Sequence, residues 1–320
     1  MSDSLHTPAQ PFRLLPIFRE RVWGRRQLAP YFPDPGSNQL IGEAWLTFEE
    51  NSTSLGVSLG ELIRKNPAIL GSARDAEHPN ICPLLLKMLF TSERLSVQVH
   101  PDDEYARRHH GSLGKTEAWY VVAAEPPGEV AVGFREEISP ARLRQSAQTG
   151  EIEKLLDWRK VQAGDVIYTP AGTVHAIGAG LTICEIQQHS DITYRLYDYG
   201  RPRELHLDHG VRVAHLGPHE AGTEIRTLAA GREELVASPY FRLERLRAAG
   251  VRIAADLPIY AILLCLRGTG RIAGEAFEPG HCWFVPAGGE AVEIAGGQGE
   301  WIVTYTAADP LTPSEISIPA

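Results

Sequence analysis

The chain has 320 residues, of which 43% are hydrophobic and 22% are charged, a composition typical of a folded globular protein and unlike that of a disordered one. Its length exceeds that of one common domain, so we expect two packed units or one enlarged core. Lysine and arginine total 31 against 40 aspartate and glutamate residues, a formal net charge of −9, which argues against nucleic acid or an anionic membrane surface as a partner.

The N-terminus, the apolar runs and the cysteines indicate where the protein is located. The N-terminal stretch lacks the basic start and continuous apolar core of a signal peptide. The longest apolar runs, 81–86 and 260–266, are much shorter than the ~20 residues that span a bilayer. The four cysteines are scattered in apolar segments without a CxxC pair, which predicts buried thiols. We therefore expect a cytoplasmic protein without a membrane partner.

Helical patterns are short and local. Ser58 and Glu61 have the spacing of a capping box and predict a helix over 58–66. Ser139 followed by proline predicts a second helix start, and a further short helix is expected over 151–158, so that a helical insert lies near 139–158. No periodic segment is long enough for a parallel α/β fold.

Two segments, roughly 84–200 and 235–306, carry short β-branched and aromatic runs separated by glycine and proline, the pattern of an all-β unit. We therefore predict a mainly β protein with a few short helical inserts. The predicted strands are LSVQVH, KTEAWYVV, EVAVGF, DVIYTP and LTICEIQQ in the first segment, and YFRLERL, YAILLCLRG, GRIAG, CWFVP, AVEIAG and GEWIVTY in the second.

An internal repeat links the two segments. The phrase G-x5-P-x-G begins at Gly164 and recurs at Gly280 with identical spacing, which predicts a strand, a Pro-x-Gly turn and a new strand in each copy. We divide the chain into a catalytic unit, 1–230, which includes N-terminal strands and the helical insert, and a C-terminal unit of the same type, 231–320.

A set of polar residues in the first segment has the spacing of a metal site. In LSVQVH, alternation along the strand places Gln98 and His100 on one face. Pro101 ends this strand, and we expect 102–114 to be a loop that leads to the next strand. Lys115 and Glu117 share a face of that strand, and His175 directly follows the Pro-x-Gly turn. Two imidazoles, one carboxylate and one amide oxygen form a mixed N/O ligand set that suits zinc, although manganese, cobalt or iron is also compatible.

The C-terminal unit lacks this set. The repeat aligns Ala291 with His175, and an alanine has no donor atom. We therefore expect one metal ion per chain, bound by the first unit alone, and a second unit whose interior is filled by packing.

The combined pattern, Q-x-H, K-x-E and G-x5-P-x-G-x2-H, resembles the two-part motif of the cupin superfamily, with Gln98 in place of the first histidine of that motif. Cupins are double-sheet jelly rolls, an architecture that the number of predicted strands permits. The resemblance thus implies two cupin-type jelly-roll units and metal ligands at Gln98, His100, Glu117 and His175.

A closer resemblance, over roughly residues 20–205, is to the short bacterial form of the class I mannose-6-phosphate isomerases, or phosphomannose isomerases. It is carried by PLLLKML, LSVQVHPDDEYA, GKTEAWYV and AGDVIYTPAGTVHAIGAGLTICEIQQHSDITYRLYDYGR, and more weakly by VWGRRQLAPYF and GEAW. The chain departs from the family in Arg25–Arg26, where further glycine is usual, and in its short helical insert, which implies a more open pocket rim.

This resemblance implies that the chain interconverts mannose 6-phosphate and fructose 6-phosphate through an enediolate. It assigns the same four metal ligands, places the family's catalytic arginine at Arg195, and matches the family's lysine to Lys115. The expected partner is a small sugar phosphate. A metal stabilises the developing enediolate charge, and the two cations bind the phosphate or assist that stabilisation.

Several points stay open at the level of sequence. Glu185, Asp191 and a metal-bound water are all candidates for the base that moves the proton between C2 and C1. A metal-dependent dioxygenase and a non-catalytic sugar-sensing cupin are the alternative functions, because the same ligand set and fold serve both. The native metal, the oligomeric state, finer sugar selectivity and the direction of the pathway are not determined.

Overall fold

The computed structural model describes residues 7–36, 38–73, 78, 80–219, 222 and 224–319. The mainly β architecture predicted from the sequence is confirmed. None of the helices that the structure describes combines the length and the apolar character that a bilayer crossing requires.

The strands are β1 (Phe12–Leu14), β2 (Ile17–Arg25), β3 (Ile41–Trp45), β4 (Leu84–Phe90), β5 (Val97–Val99), β6 (Glu117–Ala124), β7 (Glu129–Phe134), β8 (Leu156–Lys160), β9 (Val166–Thr169), β10 (His175–Ile177), β11 (Leu181–Gln188), β12 (Tyr194–Tyr197), β13 (Arg226–Ala229), β14 (Arg232–Ala237), β15 (Arg242–Ile253), β16 (Ala261–Arg267), β17 (Gly270–Ile272), β18 (Glu275–Phe277), β19 (Cys282–Val285), β20 (Val292–Tyr305) and β21 (Ile316–Ser317). The helices are α1 (Leu59–Lys65), α2 (Asp103–His110), α3 (Pro140–Thr149), α4 (Ile152–Leu155) and α5 (Leu207–Val213), with a 3-10 turn at Pro67–Leu70.

These strands form three sheets whose pairings are antiparallel. The six-stranded sheet has the order β2-β3-β4-β11-β6-β9, and the five-stranded sheet has the order β12-β5-β10-β7-β8. The ten-stranded sheet follows β1-β19-β16-β20-β15-β14-β13, with β17, β18 and β21 joined at its side. This is the double-sheet arrangement of a jelly roll with a further sheet added.

Two hydrophobic cores hold the layers together. Trp119 and Ile183 of the six-stranded sheet pack with Val130 and Ile177 of the five-stranded sheet, so these two sheets face each other. The opposite face of the six-stranded sheet packs on the ten-stranded sheet through a larger core. The strand β4 is therefore buried on both faces, and all seven of its residues are inaccessible.

Strands from before and after residue 230 pair with each other in the ten-stranded sheet. β1 pairs with β19, and β13 pairs with β14, although both β1 and β13 lie before residue 230. The division of the chain at residue 230 stays a prediction.

Local sequence determines several elements to within a residue or two. β7 and β11 coincide with the predicted runs EVAVGF and LTICEIQQ. Ser139 caps α3 by accepting a hydrogen bond from the Arg142 backbone N–H at 3.1 Å. The predicted helix over 151–158 is instead the four-residue α4 followed by β8.

Two expectations about elements were wrong. The segment after Pro101 was expected to be a loop and is the helix α2, capped by Asp102 at one end and by Gly111 in the left-handed conformation at the other. The runs AVEIAG and GEWIVTY were expected to be two strands and form the single 14-residue strand β20. Pro101 was interpreted as the start of a loop, although a helix follows it, and Gly296, Gly297 and Gly299 were interpreted as a break, although they lie within one strand.

The Pro-x-Gly turns explain the internal repeat. Gly172 and Gly288 have φ values of +86° and +65°, a region that residues with a Cβ atom adopt only under strain. The first of these turns also donates from the Gly172 N–H to the His100 carbonyl oxygen at 2.8 Å. The turn thereby fixes the start of β10 next to the strand that carries His100.

Candidate active site

Three predicted site residues form a row across the five-stranded sheet. Gln98 at the centre of β5 is directly opposite His175 of β10 on one side and Arg195 of β12 on the other. Residues opposite each other in neighbouring strands point to the same face, with Cβ atoms about 4.5–5.5 Å apart. The register therefore brings an amide, an imidazole and a guanidinium to one side of the sheet.

Glu117 reaches the same space from the six-stranded sheet. Its Oε1 atom lies 3.4 Å from His175 Nε2, and its Oε2 atom lies 3.5 Å from His100 Nε2. All three side chains are buried, and their possible ligand atoms lie within 4.8 Å of one another. Among the residues that the structure describes, this is the one group of three or more His, Cys, Asp or Glu side chains so arranged.

The outer ring nitrogens fix the orientation of both histidines. His100 Nδ1 lies 2.8 Å from the Ile192 carbonyl oxygen, and His175 Nδ1 lies 2.9 Å from that of Thr173. A carbonyl accepts only, so each Nδ1 carries the proton and each Nε2 presents a lone pair to the centre. Burial, with the nearby Lys115, lowers the pKa of His100 well below its usual range, and burial lowers the pKa of His175 to about 4. Both imidazoles are therefore neutral ligands near neutral pH.

The fourth predicted ligand, Gln98, is at the same centre. Its side-chain nitrogen lies 3.2 Å from His175 Nε2, while its oxygen accepts from the Ser96 hydroxyl at 3.4 Å. Rotation of the amide by half a turn exchanges the two atoms and directs the oxygen to the centre, a choice that hydrogen-bonding partners decide.

These donors fit a metal ion. His100 Nε2 and Glu117 Oε2 are buried and lack a hydrogen-bond partner among the described residues. Leaving such atoms unsatisfied costs about 1–3 kcal/mol each, and more for a charged group. A divalent cation satisfies both at once, and neutral imidazoles with a carboxylate and an amide oxygen match the donors that zinc accepts.

Lys115 lies beside the cluster and is almost fully buried. Its Nζ atom is 3.2 Å from Glu117 Oε2. Burial alone lowers the pKa of this lysine, but Glu117, followed by Glu185 and Asp191, outweighs burial and raises it above the usual value. Lys115 is therefore a charged ammonium group held at the edge of the ligand cluster.

A second row crosses the facing six-stranded sheet. Glu185 of β11 is directly opposite Lys87 of β4 and Trp119 of β6. Lys87 Nζ lies 3.6 Å from Glu185 Oε1, and the Trp119 indole donates to Glu117 Oε1 at 3.1 Å and to Glu185 Oε2 at 3.2 Å. Burial and then Glu117 raise the pKa of Glu185, whereas Lys115 and Lys87 oppose the rise. The row connects Glu185 to the ligand cluster through one indole N–H.

A cavity of about 340 Å³ opens between these two rows, a size within the ~300–1,000 Å³ range of small-molecule sites. Five cationic side chains and three carboxylates line it, so that positive charge is in excess before any metal is counted. The cations are Arg21, Lys87, Lys115, Arg195 and Arg203, and the carboxylates are Glu43, Glu185 and Asp191.

Arg195 is held so that part of its guanidinium remains available to a ligand. Its Nη1 donates to the Glu204 carbonyl oxygen at 2.8 Å, while its buried Nε has no partner among the described residues. Arg203, its neighbour in the cavity wall, is paired through two nitrogens with Asp198, at 2.6 and 2.7 Å. Arg195 thus has donor capacity that Arg203 has largely used.

Sequence reasoning left some of this site unassigned. Lys87 was not identified, although a lysine within the apolar run PLLLKML is a visible signal, since a charged residue in a doubly buried strand needs a partner. Glu185 stayed one candidate among three because the bend before β11 hid its face. The register with β4 and β6 places it toward the cavity.

Comparisons with known proteins identify relatives of this chain. Residues 12–132 match the family described as Phosphomannose isomerase type I, catalytic domain. The chain is 36% identical to the mannose-6-phosphate isomerase of Streptococcus mutans, over 82% of this chain and 87% of that one. It is 34% identical to mannose-6-phosphate isomerase ManA of Bacillus subtilis, over 87% and 94% of the two chains. The crystal structure of a mannose 6-phosphate isomerase from Bacillus subtilis has a TM-score of 0.84 and 29% identity, over 92% of this chain and 99% of that one.

Proposed function

The chain belongs to the type I phosphomannose isomerase family, and we propose that the cavity above Gln98 and Lys115 is where it interconverts mannose 6-phosphate and fructose 6-phosphate. The observation that carries this proposal is the cavity itself, which combines a buried, convergent ligand cluster with an excess of cationic side chains. A sugar phosphate needs both features, one for its reacting oxygens and one for its phosphate.

Gln98, His100, Glu117 and His175 would hold a zinc ion. When bound, such an ion supplies a Lewis acid that stabilises negative charge on the sugar oxygens next to the reacting carbons. The hydrogen bonds from the two Nδ1 atoms to the carbonyl oxygens of Ile192 and Thr173 keep the rings turned toward the ion, and such bonds typically contribute about 10–100-fold in metal affinity.

We assign proton transfer to Glu185. Its carboxylate removes the proton from C2 of mannose 6-phosphate, which leaves an enediolate, and the resulting carboxylic acid returns the proton to C1 while the hydroxyl proton moves from O2 to O1. Atoms and charge balance over the cycle. The burial of Glu185 and its contact with Trp119 hold it at a fixed place in the cavity. Asp191 is a weaker candidate, since its side chain is 60% exposed.

Arg195 and Lys115 act on the charged parts of the substrate. The free donors of Arg195 suit a phosphate or enediolate oxygen, and Lys115 adds a positive charge between the ligand cluster and the cavity. The cavity does not favour a dioxygenase or a sugar sensor, because neither function needs five cationic side chains around its ligand.

The proposal extends to compartment and partners. All four cysteines are buried free thiols, as is usual in a reducing compartment, and we place the enzyme in the cytoplasm. The net charge of −9 opposes binding to nucleic acid.

A coupled assay of the purified, zinc-loaded chain tests the proposal. We expect conversion of mannose 6-phosphate to fructose 6-phosphate, no conversion of unphosphorylated mannose at the same concentration, and no consumption of dioxygen. Absence of turnover in a folded, metal-loaded sample would contradict the proposed function, as would equal turnover of mannose and its phosphate.

A further inference from the structure

The strand that carries Arg195 is the edge of its sheet. β12 pairs with β5 on one side and has no strand on the other, according to the sheet order of the described residues. The backbone N–H and carbonyl oxygen of Arg195 point away from β5, toward this open edge, so their hydrogen-bond partners have to come from outside the sheet. An edge strand presents unpaired backbone N–H and C=O groups, and one with few hydrogen bonds opens more easily. Motion of β12 would move a guanidinium that has to meet a substrate oxygen.

His206 occupies the position that a neighbouring strand would have. Its backbone N–H donates to the Arg195 carbonyl oxygen at 2.7 Å, and its side-chain Nδ1 accepts from the Arg195 backbone N–H at 3.1 Å. One residue therefore satisfies both edge groups of Arg195, with an imidazole nitrogen serving as the acceptor that a strand carbonyl supplies in a sheet.

The same segment holds the side chain of Arg195. Glu204, two residues before His206, accepts from Arg195 Nη1 through its carbonyl oxygen at 2.8 Å. The backbone and the guanidinium of Arg195 are thus both hydrogen-bonded to one short segment, 204–206. This segment fixes the direction of the guanidinium donors that remain free.

Helix α5 anchors this piece of chain. His206 is the residue before α5, and its carbonyl accepts the first helical hydrogen bond, from Gly210 at 2.8 Å. A Cβ atom on Gly210 would lie 2.5 Å from Leu196 Cδ2, so the helix packs on β12 more closely than a residue with a Cβ atom would allow without a shift. Helix α5, which is packed on β12, consequently holds the His206 imidazole against Arg195.

We propose that His206 is a positioning residue for Arg195, acting through its Nδ1 acceptor and not through contact with the substrate. The inference rests on the proposed role of Arg195. Since a misplacement of about 1 Å at a catalytic group can cost about 100-fold in rate, loss of the Nδ1 acceptor should lower turnover about 10- to 100-fold.

Two isosteric replacements separate the acceptor from bulk and packing. In His206→Asn the Oδ1 atom takes the place of Nδ1, whereas in His206→Gln the side-chain oxygen takes the place of Nε2 and leaves Arg195 N–H unpaired. We expect His206→Asn to retain most of the turnover of mannose 6-phosphate, and His206→Gln and His206→Ala to lose it, each with one zinc per chain. Asp208→Ala, an exposed position in the first turn of the same helix, is the matched control and should keep wild-type kinetics.

A double-mutant cycle shows whether the effect passes through Arg195. The effect of His206→Ala should be divided between kcat and KM in the same way as the effect of Arg195→Ala. His206→Ala should have no further effect when Arg195 is already alanine. Equal turnover of the Asn and Gln variants, or full additivity with Arg195→Ala, would overturn the inference. If His206→Ala does not fold, the comparison of Asn with Gln decides. Full activity of Arg195→Ala would instead contradict the proposed function of Arg195.

Discussion

Gln98 and His175 are directly opposite each other in the antiparallel pair of β5 and β10, with the Gln98 amide nitrogen 3.2 Å from His175 Nε2. At this distance the Gln98 amide and the lone pair of His175 Nε2 can bind the same ion. The register between two three-residue strands thus sets half of the ligand cluster, and His100 after β5 with Glu117 from the facing sheet completes it.

Metal removal should abolish turnover. Chelation should bring activity to background and zinc should restore it, because His100 Nε2 and Glu117 Oε2 are buried, have no hydrogen-bond partner among the described residues and converge with His175 on one point. His100→Ala and His175→Ala should each lose both metal and activity, measured by elemental analysis and the coupled assay. His281→Ala, a histidine of the C-terminal sheet, is the control and should keep both. Full activity of metal-free protein would refute the prediction.

Arg195→Ala should lower kcat about 10²- to 10³-fold, the usual cost of a donor to developing negative charge, while one zinc per chain remains bound. The arginine points to the cavity beside Gln98 but offers no ligand to a cation. Arg271→Ala, in the distant hairpin β17–β18, is the matched control. Normal kinetics of Arg195→Ala would mean that this arginine is only a structural edge residue.

Lys115→Ala should raise KM, lower kcat, or change both, and the split indicates its role. A lysine that binds the phosphate throughout the reaction affects KM, whereas one that acts only in the transition state affects kcat. Steady-state kinetics on mannose 6-phosphate measures the split. Unchanged kcat and KM would exclude both roles for this lysine.

The stability of the fold should depend on the ionisation of Glu43. Burial opposes its charge, but Lys87 and then Arg21, 2.7 Å away, outweigh burial and lower its pKa below the usual 4.5. A depressed pKa stabilises the fold above the unfolded-state pKa, and this stabilisation is lost as the pH falls through the folded-state pKa. Glu43→Gln should therefore cost about 2 kcal/mol near pH 7 and much less near pH 3. Urea unfolding at the two pH values checks this, and an equal cost at both would contradict it.

The sequence predicted most reliably what is local. β7 and β11 were found to the residue because turn residues flank alternating apolar runs, and the Pro-x-Gly turn preceding His175 has a geometry that only glycine adopts without strain. Short spacings also pointed to the candidate ligands, since each lies on one strand or turn, and the structure brings His100, Glu117 and His175 together.

What the sequence left undetermined depends on contacts between distant strands. Glu185 faces the cavity because β11 pairs with β4 and β6 in one register, and a shift of one residue would turn it to the opposite face. His206 supports Arg195 across an edge that no local pattern shows to be an edge. Relationships of this kind depend on the order of the strands in each sheet, and no local sequence pattern shows that order.

The last prediction is that the chain binds a single metal ion and that the C-terminal sheet binds none. In that sheet the turn at Gly288 leads to Ala291, which is exposed and has no donor atom. The interior of that sheet is filled by packed side chains, among them Ile262, Leu264, Trp283 and Val285, which are all buried. Among the described residues of that sheet, no three His, Cys, Asp or Glu side chains bring their ligand atoms together as His100, Glu117 and His175 do.

A remote second site at His281 is the remaining alternative, and its surroundings oppose it. Arg13 Nη1 lies 3.3 Å from His281 Nε2, so a positive charge already occupies the approach of a cation. Glu290, one possible partner, is hydrogen-bonded by the Gln10 side chain. Elemental analysis should therefore find one zinc in the wild type, one in His281→Ala and none in His175→Ala. Two tightly bound ions in the wild type, with one surviving in His175→Ala, would show that the C-terminal sheet has a site of its own.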